Sequence, residues 1–79
     1  MVSEKVNKIA SIVLGIDIDK IDNSLSPTKN DEWDSLHHMM LISEIEKEFN
    51  VTFSVDEAVS IKDLKSIKDL LRKKIQNVE

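Results

Sequence analysis

Apolar residues along this chain recur at helical spacing rather than in strand-like alternation. Val6, Ile9 and Val13 lie three or four residues apart with Ala10 beside them, the pattern of one buried helix face. Ser3 is placed to cap this segment and Gly15 to stop it, so a first helix is expected over about 3–14. Residues 15–34 then show no period. Asp17, Asp19, Asp22, Asn23, Ser24, Ser26-Pro27 and Asn30-Asp31 are turn formers. An irregular stretch of this length inside a compact domain is usually functional. Ile16, Ile18, Ile21 and Leu25 can pin it to a core, and there is room for a short helical turn.

A second helix is expected over 35–49. At about 100° per residue, Leu41, Ile45, Phe49, Ile42 and Met39 share one broad arc, the expected core face, with His38 in its middle. His37, Glu44 and Glu48 collect on one flank. Leu36, Met40, Ser43 and Lys47 form a separate stripe. Asn50 ends the helix. Val51-Thr52-Phe53 is strand-like in isolation, but it has no partner strand and reads as an extended link. A short third helix is expected around Asp56–Ser60. Asp63 can cap a last helix in which Leu64, Ile67, Leu71 and Ile75 repeat, with Leu70 alongside. The expected fold is all-α: a small four-helix bundle of three longer helices and one short one. A long loop separates the first two helices, and the whole forms a single domain over 1–79.

Composition agrees with helices, since the 79 residues include one Gly and one Pro. Cysteine is absent, which excludes disulfides, thiolate metal sites and a cysteine nucleophile. Any thiol chemistry must come from an added group. No apolar run is long enough to span a membrane, and the N-terminal residues lack a signal-peptide pattern. A soluble, cytoplasmic protein is expected. The net charge of −4 argues against nucleic-acid binding. Charge is uneven. Residues 31–61 carry eight acids (Asp31, Glu32, Asp34, Glu44, Glu46, Glu48, Asp56 and Glu57) against Lys47 alone, whereas residues 62–79 are mainly basic. The middle segment is therefore a candidate surface for a basic partner, or simply a solvated acidic face.

The chemistry centres on Asp31-Glu32-Trp33-Asp34-Ser35-Leu36, where a polar loop becomes an amphipathic helix. By itself a hydroxyl at such a position reads most often as a helix cap. A His37-His38 metal pair is disfavoured, because adjacent helical residues point about 100° apart and no other histidine exists. No metal site is expected. His38 is expected to bond to loop backbone, His37 to face solvent, and Trp33 either to pack against the long loop or to meet a partner. A hydrolase built on Ser35 with His37 or His38 is weak, because no oxyanion hole is evident in so small a chain.

The order of elements, with Asp34-Ser35-Leu36 opening the second helix, resembles the acyl carrier protein family over nearly the whole chain. Ser24-Leu25, Ile45-Glu46-Lys47-Glu48-Phe49, Phe53, Asp56-Glu57-Ala58 and Ile61 carry the likeness further. The resemblance implies a carrier and not an enzyme. A phosphopantetheinyl transferase would attach the 4′-phosphopantetheine of coenzyme A to Ser35, whose arm would hold acyl groups as thioesters. Asp34 would cap the helix and contact the transferase. A helix N-terminus favours a phosphate on physical grounds as well. Leu36, Met40, Ser43, Glu46 and Lys47 would form the face for an acyl or aminoacyl ligase and for acyltransferase or synthase partners. Met39, Ile42, Ile45 and Ile61 would line an acyl pocket, or serve as ordinary core with methionine as filler.

Fatty-acid synthase carriers usually have a small residue before the Asp, an acid after the Leu and further carboxylates along the stripe. Here Trp33 and His37 occupy the first two positions, and Glu46 alone is acidic on the stripe. The departure points to a dedicated pathway, such as surface-polysaccharide, specialised-metabolite or aminoacyl-transfer chemistry, by analogy within the family. A peptidyl or aminoacyl carrier remains an alternative, as does an unmodified helical interaction domain. A monomer is expected.

Overall fold

The computed structural model describes residues 1–76, so Glu79 lies outside the described residues. Four α-helices follow in order: α1 (Val2–Leu14), α2 (Ser35–Phe49), α3 (Val55–Ser60) and α4 (Leu64–Gln76), with a short 3-10 turn at Ile18–Lys20 inside the long loop. The described residues are all helix, turn and loop, as the period of the apolar positions requires. The core joins Val6, Ala10 and Leu14 of α1 to Leu41, Ile42 and Ile45 of α2 and Leu64, Ile67 and Leu71 of α4. Ile21, Leu25, Trp33, Phe53 and Ile61 enter it from the connections. A Lys5–Glu48 ion pair of 3.5 Å links the start of α1 to the end of α2, so these helices run antiparallel.

The helix ends show why each element stops where it does. Gly15 closes α1 at φ 68, and Asn50 closes α2 at φ 55; both are left-handed conformations that Gly and Asn adopt most readily. Ser54 and Glu57 form a reciprocal capping box at α3, which explains how so short a helix starts. At α4, Ser66 N–H donates to Asp63 Oδ1 at 2.8 Å, so Asp63 caps as expected. The expected Ser3 cap is not made. α1 begins one residue earlier with Met1 at the cap position and no side-chain bond, because Ser3 already lies within the helix.

The long loop is held by its own turns and by α4. Asp17 and Asp22 accept from Asp19 N–H and Ser24 N–H respectively. Leu25 and Asn23 carbonyls accept from Leu64 and Lys65 N–H at 2.9 and 3.1 Å, satisfying donors that a helix start otherwise leaves free. Lys68, buried on α4, reaches back to Asn23 Oδ1 at 2.6 Å. That burial pushes its ammonium below the ordinary value of 10.5. Ile21 and Leu25 anchor the loop as expected. Ile18 does not, since it sits half-exposed on the 3-10 turn.

A Cβ added at Gly15 would meet nothing within 4 Å, so a substitution there tests backbone conformation alone. Gly15→Ala should cost about 1 kcal/mol in denaturant unfolding, and Gly15→Asn should cost less.

Candidate functional site

The site begins with Asp34, in extended conformation, as the N-cap of α2. Its Oδ1 accepts from His37 N–H at 2.9 Å and from the His37 ring Nδ1 at 2.7 Å. The backbone N–H first, and then the ring, hold the Asp34 carboxyl below its ordinary 3.8. Asp34 is therefore ionised near neutrality. Ser35 follows as the first helical residue, exposed to solvent. With His37 N–H already taken, the N–H groups of Ser35 and Leu36 remain to define the positive end of the helix. Ser35 also borders a cavity of about 460 Å³ lined by Pro27, Trp33, Asp34, His38, Ala58, Val59 and Ile61. A hydroxyl that is accessible and set on a donor-rich helix end can accept and seat a phosphodiester. These residues fit such a group.

Behind Ser35 lies a relay absent from the sequence reading. Trp33 is 1% exposed, and its Nε1–H donates to His38 Nδ1 at 2.9 Å. An indole N–H only donates, so Nδ1 must accept and the ring proton sits on Nε2. That proton is given to the Ala58 carbonyl at 2.9 Å. The Trp33 and His38 rings also stack, with centroids 5.9 Å apart. Trp33 is thus core beneath the loop rather than a partner contact. His38 bonds to α3 backbone, correcting the expected loop-backbone partner, and reaches the loop through the Trp33 side chain. His37 is half-buried against Asp34 rather than freely solvated.

This arrangement disposes of two chemistries. Both ring nitrogens of His38 are occupied, so it is neither a base for Ser35 nor an open metal ligand. His37 lies two residues from Ser35 on the helix, on a different face, with its Nδ1 committed to Asp34.

The expected partner stripe is placed as read for Leu36, Met40, Ser43 and Lys47, all exposed. Glu46 is turned away: its carboxylate accepts from Phe53 N–H at 2.8 Å and fixes the link into α3. Of the residues expected to form one pocket, Ile42 and Ile45 are buried in the core, Ile61 borders the cavity beside Ser35, and Met39 is 59% exposed on the opposite side of α2. Met39 lies at the edge of its arc, about 120° from Ile45, and faces the open hollow shared with α1 rather than the core. Two contributors escaped the sequence reading. Ser54, whose spacing to Glu57 is a capping signature, was one. Lys68 was the other, and no sequence signal marks its burial.

The acidic middle segment is largely engaged internally. Glu57 pairs with Lys74 at 2.7 Å, Glu48 with Lys5 and Glu44 with Lys47. Lys74 also lies 5.3 Å from the Phe53 ring centre. Among the described residues, no helix is long and apolar enough to cross a membrane.

No protein-family model matches the chain. Among curated proteins it is similar to the acyl carrier protein of Buchnera aphidicola subsp. Baizongia pistaciae, 32% identical over 72 residues, covering 91% of this chain and 92% of the relative. The chain belongs to the acyl carrier protein family. It is therefore a carrier and not an enzyme.

Replacing Trp33 with Phe leaves the His38 acceptor without its donor. The loss should be about 1–3 kcal/mol, read by denaturant unfolding, with a loosened α3 seen as faster amide exchange at Ala58 and Val59. For Asp34 the folded-state value is the depressed one. Its cap is therefore complete above 3.8 and is lost as pH falls through that lower value. A carbon-detected titration of the Asp34 carboxyl should show a midpoint below 3.8; a midpoint at or above it would show that His37 does not hold the group.

Proposed function

We propose that Ser35 carries a 4′-phosphopantetheine arm and that this chain delivers acyl thioesters to partner enzymes in a dedicated biosynthetic pathway of the cytoplasm. The observation that carries the reading is an exposed serine hydroxyl at the first position of α2, directly after a capping Asp34. In the attachment, the Ser35 oxygen forms a bond to the pantetheine-side phosphorus of coenzyme A. The phosphoanhydride breaks, adenosine 3′,5′-bisphosphate leaves, and the hydroxyl proton is released. The bound arm supplies a thiol, which a chain without cysteine otherwise lacks.

The residues around Ser35 have separable tasks. Asp34 fixes the helix end and offers a carboxylate to the transferase or its metal ion. It also opposes the phosphate by like charge, so its value lies in positioning. Leu36, Met40, Ser43 and Lys47 form the face presented to a transferase, an acyl ligase and an acyltransferase or synthase. A dedicated pathway is favoured because that face lacks free carboxylates: Glu46 is committed to the Phe53 backbone. The burial of Trp33 means that its own contribution is to the fold of the loop and not to partner choice.

Incubation with a broad-specificity phosphopantetheinyl transferase and coenzyme A should add the mass of one phosphopantetheine. Ser35→Ala should abolish the addition while the circular-dichroism spectrum is kept. No mass gain with several transferases overturns the reading in favour of an unmodified helical interaction domain.

A further inference from the structure

His37 makes a side-chain bond that the helix cap does not need. Asp34 already closes α2 by accepting from the His37 backbone N–H at 2.9 Å, and that bond requires no particular side chain at position 37. The imidazole adds a second contact, from Nδ1 to the same Oδ1 at 2.7 Å. An ionised carboxylate only accepts, so Nδ1 carries a proton whether the ring is neutral or charged. His37 and His38 are therefore held in opposite neutral tautomers, His37 by the acceptor beside it and His38 by the Trp33 donor.

The two bonds divide the Asp34 carboxylate. Oδ1 takes both N–H groups, whereas Oδ2 accepts from no donor among the described residues, on a side chain that is 58% exposed. The backbone bond alone fixes one oxygen and leaves the carboxylate plane to turn, because a terminal carboxylate torsion is soft. The ring bond, arriving from a second direction, removes that freedom. The His37 ring bonds to Asp34 and not to Ser35, so any effect on the serine passes through Asp34.

A fixed Oδ2 one residue before Ser35 has a use in the attachment. Coenzyme A brings a charged pyrophosphate to the Ser35 hydroxyl, and the Asp34 carboxylate repels it. An enzyme that joins the two must place positive charge between them. A carboxylate oxygen free of other partners and held in one direction is the acceptor for that charge, and holding it in advance reduces the entropy lost when the groups meet.

We propose that His37 is a positioning residue for phosphopantetheine attachment: by holding Oδ1 of Asp34 through Nδ1, it presents Oδ2 to the cationic group with which the transferase meets the carrier beside Ser35. This rests on Ser35 being the point of attachment.

Long-range nitrogen–proton correlation of the neutral rings should show His37 protonated at Nδ1 and His38 at Nε2. His37 protonated at Nε2 alone overturns the brace. Loading is followed as initial rates with a broad-specificity phosphopantetheinyl transferase and coenzyme A. His37→Leu keeps the backbone cap and removes the ring donor. Its kcat/KM should fall about tenfold, the worth of one hydrogen bond to a charged group, while the full mass gain is still reached. His37→Asn sets an amide N–H where Nδ1 stood and should recover most of the lost rate. Leu is the better helix former, so a purely structural role ranks Leu above Asn. Loading of His37→Leu as fast as His37→Asn overturns the proposal. A His37→Leu defect that shrinks as magnesium chloride is raised identifies the cationic group as a divalent ion, and a defect indifferent to magnesium identifies a basic side chain. Absence of any mass gain in the unsubstituted chain overturns the attachment itself, and this proposal with it.

Discussion

The bond from Trp33 Nε1–H to His38 Nδ1 is the interaction on which the rest of the site depends. It commits the imidazole to one tautomer, and that tautomer's remaining proton holds the Ala58 carbonyl of α3. One buried indole therefore joins the long loop, α2 and α3 at the point where Ser35 emerges. α3 is six residues long, far too short to be stable as an isolated helix. Its place comes from this bond, from the Ser54–Glu57 capping box and from the Glu57–Lys74 pair. The two other residues that tie the link down, Phe53 and Ile61, are buried at its ends. The relay is the one of these contacts that also ties the cavity wall to the residues flanking Ser35.

A second constraint is electrostatic. The formal charges suggest a broad acidic face, yet most of the carboxylates on α2 and α3 have internal work. Glu46 organises backbone, Glu57 both caps a helix and pairs with a lysine, and Asp34 caps α2. Exposed pairs such as Lys47–Glu44 at 3.5 Å add little stability, but they do offset charge along the exposed face of α2. What surrounds Ser35 is consequently more apolar than the sequence suggests. Leu36 and Val59 are exposed on either side of it, and Met39 and Met40 continue the apolar surface along α2. Recognition by shape and apolar contact is the natural mode for such a surface, with charge steering association less strongly than on a carboxylate-rich face.

Much of the fold was legible from spacing alone. The heptad-like repeats of Val6–Val13, Leu41–Phe49 and Leu64–Ile75 each encode a helix with one buried face, and Gly15, Asn50 and Asp63 mark boundaries through chemistry specific to helix ends. The local setting of Ser35 was legible too, because Asp34-Ser35-Leu36 combines a cap, a hydroxyl and the onset of an amphipathic period. Met39 was misjudged because an arc drawn on a helical wheel does not say how wide the buried sector is. That width depends on how closely a neighbour approaches, and an open hollow remains between α1 and α2 where Met39 sits. Ser3 was misjudged because a cap and a first-turn serine share the same local sequence.

The sequence by itself determined the helices, their order and the resemblance to the acyl carrier family, because periodicity, capping and the Asp34-Ser35-Leu36 motif are local properties. Only the tertiary structure decided which side chains act together. Trp33 and His38 lie five residues apart, and Ala58 is a further twenty along the chain, so nothing local predicts that they form one relay. Lys68 reaches Asn23 across 45 positions, and the hollow between α1 and α2 exists only because Ile12 of α1 is brought beside Met40 of α2. Burial, hydrogen-bond partners and grooves arise from the approach of distant segments, and a linear reading of residue types cannot fix that approach.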